Sequence, residues 1–498
     1  EKYAQIITAA ELKAKLTIVA GAGMEGRETG TEGQKKAAAY IESQFKDLGL
    51  KPANKGKYQQ IFPLMEDTLL EGKIVINGDN YPFGTDFFMN ARFNKTEKVK
   101  ASKIVFAGYG IDDPIYNDYE GLDVKGAIVV LALGEPKKDG KNILPGGPRG
   151  SEWASIAKKI GAAKEKGAVG IFVVSPRLAI LNPSTVASQR KTNLYLPASP
   201  TSDPYTLNFA TTTSVFFKKL FPGEFGDSMI AKLGRFDAIS ATDHQSIKAK
   251  VSFDVKKQSI EKANSSNVLA MIEGTDKKDE YVFLTAHYDH LGMRGDVIYY
   301  GADDDGSGTV SVLEMATAFA KAKADGNGPR RTIVFMTVSG EEKGLWGSQY
   351  YAEHPVFPLE KTSVDLNTDM VGRLDPKRTK GDSTNYVYVV GDDKLSSDLK
   401  PISESINDKY AKLELDYKYN DPNDTERIYF RSDHYNFARK GVPIIFYFNG
   451  THADYHRPTD TVDKINFDVM EKRVRFIFYT AWEMANRDAM LKRDIKLD

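Results

Sequence analysis

Tyr281-Val282-Phe283-Leu284-Thr285-Ala286-His287-Tyr288-Asp289 passes without a break from an apolar run of strand length into a histidine and an aspartate two residues apart. In extended chain those two side chains point the same way. A glycine-flanked acidic loop follows, Gly301-Ala302-Asp303-Asp304-Asp305-Gly306, and 310–322 then has helical spacing. The same order recurs. The apolar run 332–338 leads into Ser339-Gly340-Glu341-Glu342, and 363–367 ends in Asn367-Thr368-Asp369-Met370. The run 442–448 is followed by His456-Arg457-Pro458-Thr459-Asp460-Thr461, and 397–413 again has helical spacing. Strand, loop and helix in repetition predict an α/β fold with a mostly parallel, mixed sheet sandwiched by helices. In such sheets ligands bind beyond the carboxyl ends of the strands. His287, Glu341 and Asp369 each stand at such an end, so three loops converge on one edge.

The residue types are those of a metal centre. Imidazoles and carboxylates suit zinc, and the five motifs hold one carboxylate more than two zinc ions need. Three consecutive aspartates exceed what a helix cap asks for. A carboxylate bridging two cations about 3.5–4 Å apart gives the excess a purpose. Glu341 and Glu342 are adjacent in a loop, so one can ligate while the other stays free as a general base. Asp289 is placed to orient the His287 imidazole. Near the C-terminus, His452, Asp454 and His456 compete for one ligand position, and spacing alone leaves the choice open.

Elsewhere the chain is less explicit. An amphipathic helix is predicted over 33–48, its stripe formed by Ala37, Ile41 and Phe45 and stopped by Gly49 and Pro52. The glycines of 26–33 lack the lysine and hydroxyl ending of a phosphate loop. From 76 to 259 short β-rich runs (104–107, 127–133, 169–174) alternate with turns and one helix over 153–166. A surface loop is predicted at 134–148. None of the five motifs lies there, so this stretch reads as a module inserted into a catalytic domain made of 1–75 and 260–498.

Composition bounds the rest. Lysine plus arginine equals aspartate plus glutamate at 68 each, which offers nucleic acid or an anionic membrane no basic excess. No apolar run is long enough for a transmembrane segment. With no cysteine in the chain, disulfides, thiolate ligands and a cysteine nucleophile are excluded together. The first residue is Glu1 rather than methionine, from which an exported protein, periplasmic or secreted, is expected.

The ordered motifs resemble those of the co-catalytic zinc aminopeptidase family, bacterial leucyl aminopeptidase type, in the superfamily that also holds glutamate carboxypeptidases, glutaminyl cyclases and the transferrin receptor. The resemblance covers about 5–75 and 260–498, and 76–259 is similar to the protease-associated insert of many members. It implies the zinc-exopeptidase fold and two zinc ions per chain. His287 and Asp369 would hold one ion, Glu342 and His456 the other, and Asp303 would bridge them, with the Asp303–Asp304 peptide cis. It favours His456 over His452, because Asp460-Thr461 follow at the family's distance. It makes Glu341 the general base toward the attacking water and Tyr429, three residues before Ser432-Asp433-His434, the oxyanion donor. The implied activity is removal of N-terminal residues from peptides with a free amino terminus. A carboxypeptidase or dipeptidase would need a clamp for the substrate carboxylate, for which Arg373, Arg427 and Arg431 are available. A glutaminyl cyclase of this superfamily would use one zinc. A non-enzymatic receptor or scaffold would have no reason to keep all five ligands and the base.

Overall fold

The run 281–286 alternates its side chains between two layers, and Arg331–Val338 follows the same rule. A computed structural model describes residues 1–147, 150–197 and 205–497. The chain divides into two units, one made of 1–64 and 263–498 and the other of 65–262. The strand Gln59–Ile76 runs through the first junction without a break.

In the first unit, the strand Lys277–His287 lies parallel to Arg331–Val338 on one side and to Thr362–Thr368 on the other. Thr362–Thr368 is in turn parallel to Ile444–Phe448. Antiparallel neighbours close the array, Tyr386–Val390 beyond Ile444–Phe448 and the 268–272 segment of Gln245–Ile272 beyond Arg331–Val338. The four parallel strands therefore release their following loops at one edge.

Period-two alternation decides which layer each side chain joins. Val282, Leu284 and Ala286 face a core built with the helices Ala9–Val19, Glu32–Asp47, Gly308–Ala324 and Phe467–Asn486. Phe283, Val334, Met336 and Val338 face the opposite layer, where Tyr351 and Phe437 pack. The predicted stripe of Glu32–Asp47 is buried at Ala37, Ile41 and Phe45. Each of the two larger side chains contributes about 1.5–3 kcal/mol by leaving water. The 397–413 segment forms the helix Leu399–Ile406, extended by one wider turn, Asn407–Ala411.

The second unit is α/β rather than merely β-rich. Glu97–Phe106, Ile128–Ala132, Gly170–Val174 and Phe209–Thr212 form a parallel sheet. The helices Ile156–Glu165, Ser214–Leu220 and Glu224–Arg235 pack on it around a separate core. Lys159 is buried, and its ammonium donates to the carbonyls of Tyr109, Ala132 and Gly134 at 2.6–3.3 Å. The predicted loop at 134–148 carries a small hairpin, Lys137–Lys138 against Lys141–Asn142, and Pro148 lies outside the described residues. Among those residues, no helix is long and apolar enough to cross a membrane.

Candidate metal centre

His287 is the last residue of its strand and is buried. Its Nδ1 lies 3.1 Å from the main-chain carbonyl of Asp289 and 3.7 Å from that residue's Oδ1. A proton held at Nδ1 by the carbonyl leaves Nε2 free as a ligand. The Asp289 carboxylate is itself fixed, accepting from the Thr29 hydroxyl at 2.7 Å and the Glu341 amide at 3.2 Å. Asp289 thus ties the His287 loop to the Glu341 loop.

His287 Nε2 faces three carboxylates, Asp304 Oδ1 at 3.3 Å, Asp369 Oδ2 at 3.6 Å and Glu341 Oε2 at 3.8 Å. The other oxygen of Asp304 faces a second imidazole, His456 Nε2, at 3.0 Å. That nitrogen is also 3.1 Å from Glu342 Oε2. One carboxylate therefore lies between two donor groups, with an oxygen turned to each. His287, Glu341 and Asp369 bring ligand atoms within 4.8 Å of one another, and so do His290, Asp304 and Glu342. Ser432 donates to Asp369 Oδ2 at 2.7 Å and accepts from the Asn367 amide at 2.9 Å, which fixes that carboxylate.

The charges strain against burial. Burial raises the Glu341 carboxyl well above the usual range, aided by Glu342, Asp369 and Asp433 and opposed by His287. Burial would also raise Asp304, but the His287 and His456 imidazoles hold it well below the carboxylate norm. His456 is lowered by burial and raised more strongly by Asp304 and Glu342, to about 10. His287 Nε2, Asp304 Oδ2 and Glu342 Oε1 are buried without a hydrogen-bond partner. Clustered carboxylates with orphaned lone pairs and borderline-soft imidazoles fit divalent zinc.

An open cleft of ≈ 330 Å³ meets this cluster. Its wall includes Asp304, Glu341 and Asp369, the apolar Met370, Phe446 and Phe448, and the polar pair Arg431 and Tyr455. Arg431 donates to the Tyr455 hydroxyl at 3.1 Å.

With that arrangement, residues 267–481 match the model of Peptidase family M28. A probable zinc metalloprotease of Pyrenophora tritici-repentis is 28% identical over 272 residues, 47% of this chain and 54% of that protein. The match thus spans about half the length of that relative. A probable leucine aminopeptidase of Arthroderma otae is 26% identical over 383 residues, 72% of this chain and 97% of that protein. The aminopeptidase from Aneurinibacillus sp. strain AM-1 shares the fold at a TM-score of 0.50 and 20% identity, over 99% of this chain and 98% of that one.

Within residues 267–481 the sequence expectations need several corrections. Asp303 does not face the two imidazoles that Asp304 joins. Its Oδ1 accepts from the Gly372 amide at 2.7 Å, and its Oδ2 lies 3.1 Å from His452 Nε2. The chain through Ala302–Ser307 leaves helical geometry at Asp304 and Asp305, so three adjacent aspartates diverge. Asp305 accepts the amides of His287, Gly308 and Met370. The cis peptide is Asp304–Asp305, not Asp303–Asp304. His452 is engaged by Asp303, and Asp454 by Arg373, Lys464 and Thr459.

Tyr429 is also displaced from its expected place. Its ring packs among Phe430, His434 and Tyr435, and it does not line the cleft, whereas Tyr455 does. Of the three arginines considered as a clamp, only Arg431 borders the cleft. Arg373 is paired with Asp454, and Arg427 lies over the Phe430 ring. Sequence reasoning missed Tyr455, whose signal is its position next to His456, and His290, the fourth residue of His287-Tyr288-Asp289-His290.

Proposed function

We propose that the chain is a zinc-dependent aminopeptidase that takes two zinc ions. The observation that carries the reading is Asp304, whose two oxygens face His287 and His456. His287 and Asp369 would hold one ion and His456 and Glu342 the other, with the Asp304 carboxylate available to both. When bound, zinc acidifies a water and polarises the scissile carbonyl.

The protein's own groups do the remaining work. Glu341 lines the cleft and Glu342 does not, so Glu341 takes the proton of the attacking water and delivers it to the leaving amine. Its upward shift through burial suits a group that must both accept and return a proton. Tyr455 donates its hydroxyl hydrogen to the developing oxyanion, steadied by the Arg431 guanidinium. The carboxylates of the cleft receive the substrate ammonium, and Met370, Phe446 and Phe448 receive an apolar first side chain.

Arg431 supports a second reading, a dipeptidase or carboxypeptidase in which it clamps the substrate carboxylate. Rates on amino-acid anilides, N-acetylated peptides and C-terminally amidated peptides separate the two, each measured with and without chelator. Acetylation abolishes cleavage by an aminopeptidase, and amidation abolishes cleavage by the alternative. The second unit is proposed to be a protease-associated insert, supported by its position between the two segments of the first unit.

A further inference from the structure

His290 is fully buried at the foot of the same centre and has no part in the scheme above. Its Nδ1 lies 2.8 Å from Glu342 Oε1 and 4.0 Å from Asp304 Oδ2. His290 Nε2 has no hydrogen-bond partner, and Nδ1 is the ring nitrogen turned to the carboxylates. His290, Asp304 and Glu342 bring three ligand atoms within 4.8 Å of one another, the spacing of atoms that can share one cation. Zinc–nitrogen and zinc–oxygen bonds of about 2.0–2.2 Å set two tetrahedral ligand atoms roughly 3.4 Å apart. The 2.8 and 4.0 Å separations bracket that value.

The ring is held there by the backbone. Gly301 adopts φ +55°, and a Cβ on it would stand 2.4 Å from His290 Cγ. The glycine lets the imidazole lie against the chain that leads into Asp304. Only a residue without a side chain permits that approach.

We propose that His290 Nδ1 is an additional ligand of the second metal position, beside His456, Glu342 and Asp304. That position then has two imidazoles where the other has one. It is richer in nitrogen and retains a divalent transition metal more tightly than the His287–Asp369 position. The inference rests on the two-metal reading and adds a ligand to it.

Cobalt(II) substitution tests it on the intact chain. An imidazole bound to paramagnetic cobalt gives its remaining ring N–H a strongly shifted proton resonance. With two cobalt ions loaded, the wild-type protein is expected to show three such exchangeable signals, from His287, His290 and His456. His290→Asn should remove one of them and weaken binding of the second ion by at least about 100-fold, beyond the 10–100-fold typical of a group that only orients a ligand. Two signals from a protein holding two cobalt ions overturn the inference and leave the two-metal reading intact, with His290 merely orienting Glu342. A wild-type protein that binds one cobalt ion overturns both. The wild-type count needs no variant, so a misfolded His290→Asn does not remove the test.

Discussion

Tyr455 stacks on His456, with ring centroids 3.9 Å apart and planes inclined by 21°. The stack places a phenol on the cleft wall beside an imidazole that faces Asp304 and Glu342. Burial, together with the nearby Asp304, raises the phenol's pKa, which keeps its proton available for donation. Tyr455→Phe retains the stack and removes the hydroxyl. We expect kcat to fall by about 10²–10³-fold, the usual cost of one oxyanion donor, with metal content unchanged. Tyr429→Phe should leave kcat within a few-fold of wild type. The opposite ranking in steady-state assays would return the oxyanion role to Tyr429.

Asp304 and Asp303 are neighbours with different tasks. Asp304→Asn removes the anion shared by the two donor groups, so metal analysis should find both ions weakened. Asp303→Asn can still accept from the Gly372 amide, so its metal content should match wild type. Any loss there should appear as stability, about 1–3 kcal/mol for a disturbed buried polar contact.

Asp365 lies behind the site, buried, accepting from the Thr285 hydroxyl at 2.7 Å. Burial, with the charge of Asp433, raises its carboxyl well above the ordinary value. The folded chain therefore keeps a proton there that the unfolded chain releases near pH 3.9. Stability drains away as pH rises from that value through the raised folded pKa. Asp365→Asn lacks this term. Its melting temperature relative to wild type should climb between pH 4 and pH 7, and parallel profiles would contradict the assignment.

Much of this was legible before any coordinates. The runs 281–286 and 332–338 are apolar and β-rich, and their ends mark the sheet edge where His287 and Glu341 sit. The choice between Asp303 and Asp304 was not legible, because it depends on a local departure from helical geometry that three identical residues do not encode. Tyr429 was expected to face the site from its place before Ser432-Asp433-His434. That spacing fixes Ser432 against Asp369, while the intervening turn carries the phenol into an aromatic cluster. The helix Phe467–Asn486 went unread although Met470, Val474, Ile477 and Ala481 recur at helical spacing and are buried. His290 gave no periodic signal, since its burial comes from the loop around it.

The central claim is that adjacent glutamates divide the labour, Glu341 moving the proton and Glu342 holding the ion. Zinc stoichiometry and kcat, measured together on Glu341→Gln and Glu342→Gln, test it most directly. We predict that Glu341→Gln keeps both zinc ions and loses about 10²–10⁴-fold or more in kcat. Glu342→Gln should lose zinc along with activity and regain part of both in excess metal. If Glu341→Gln sheds zinc while Glu342→Gln retains it, the two roles are reversed and the account is wrong.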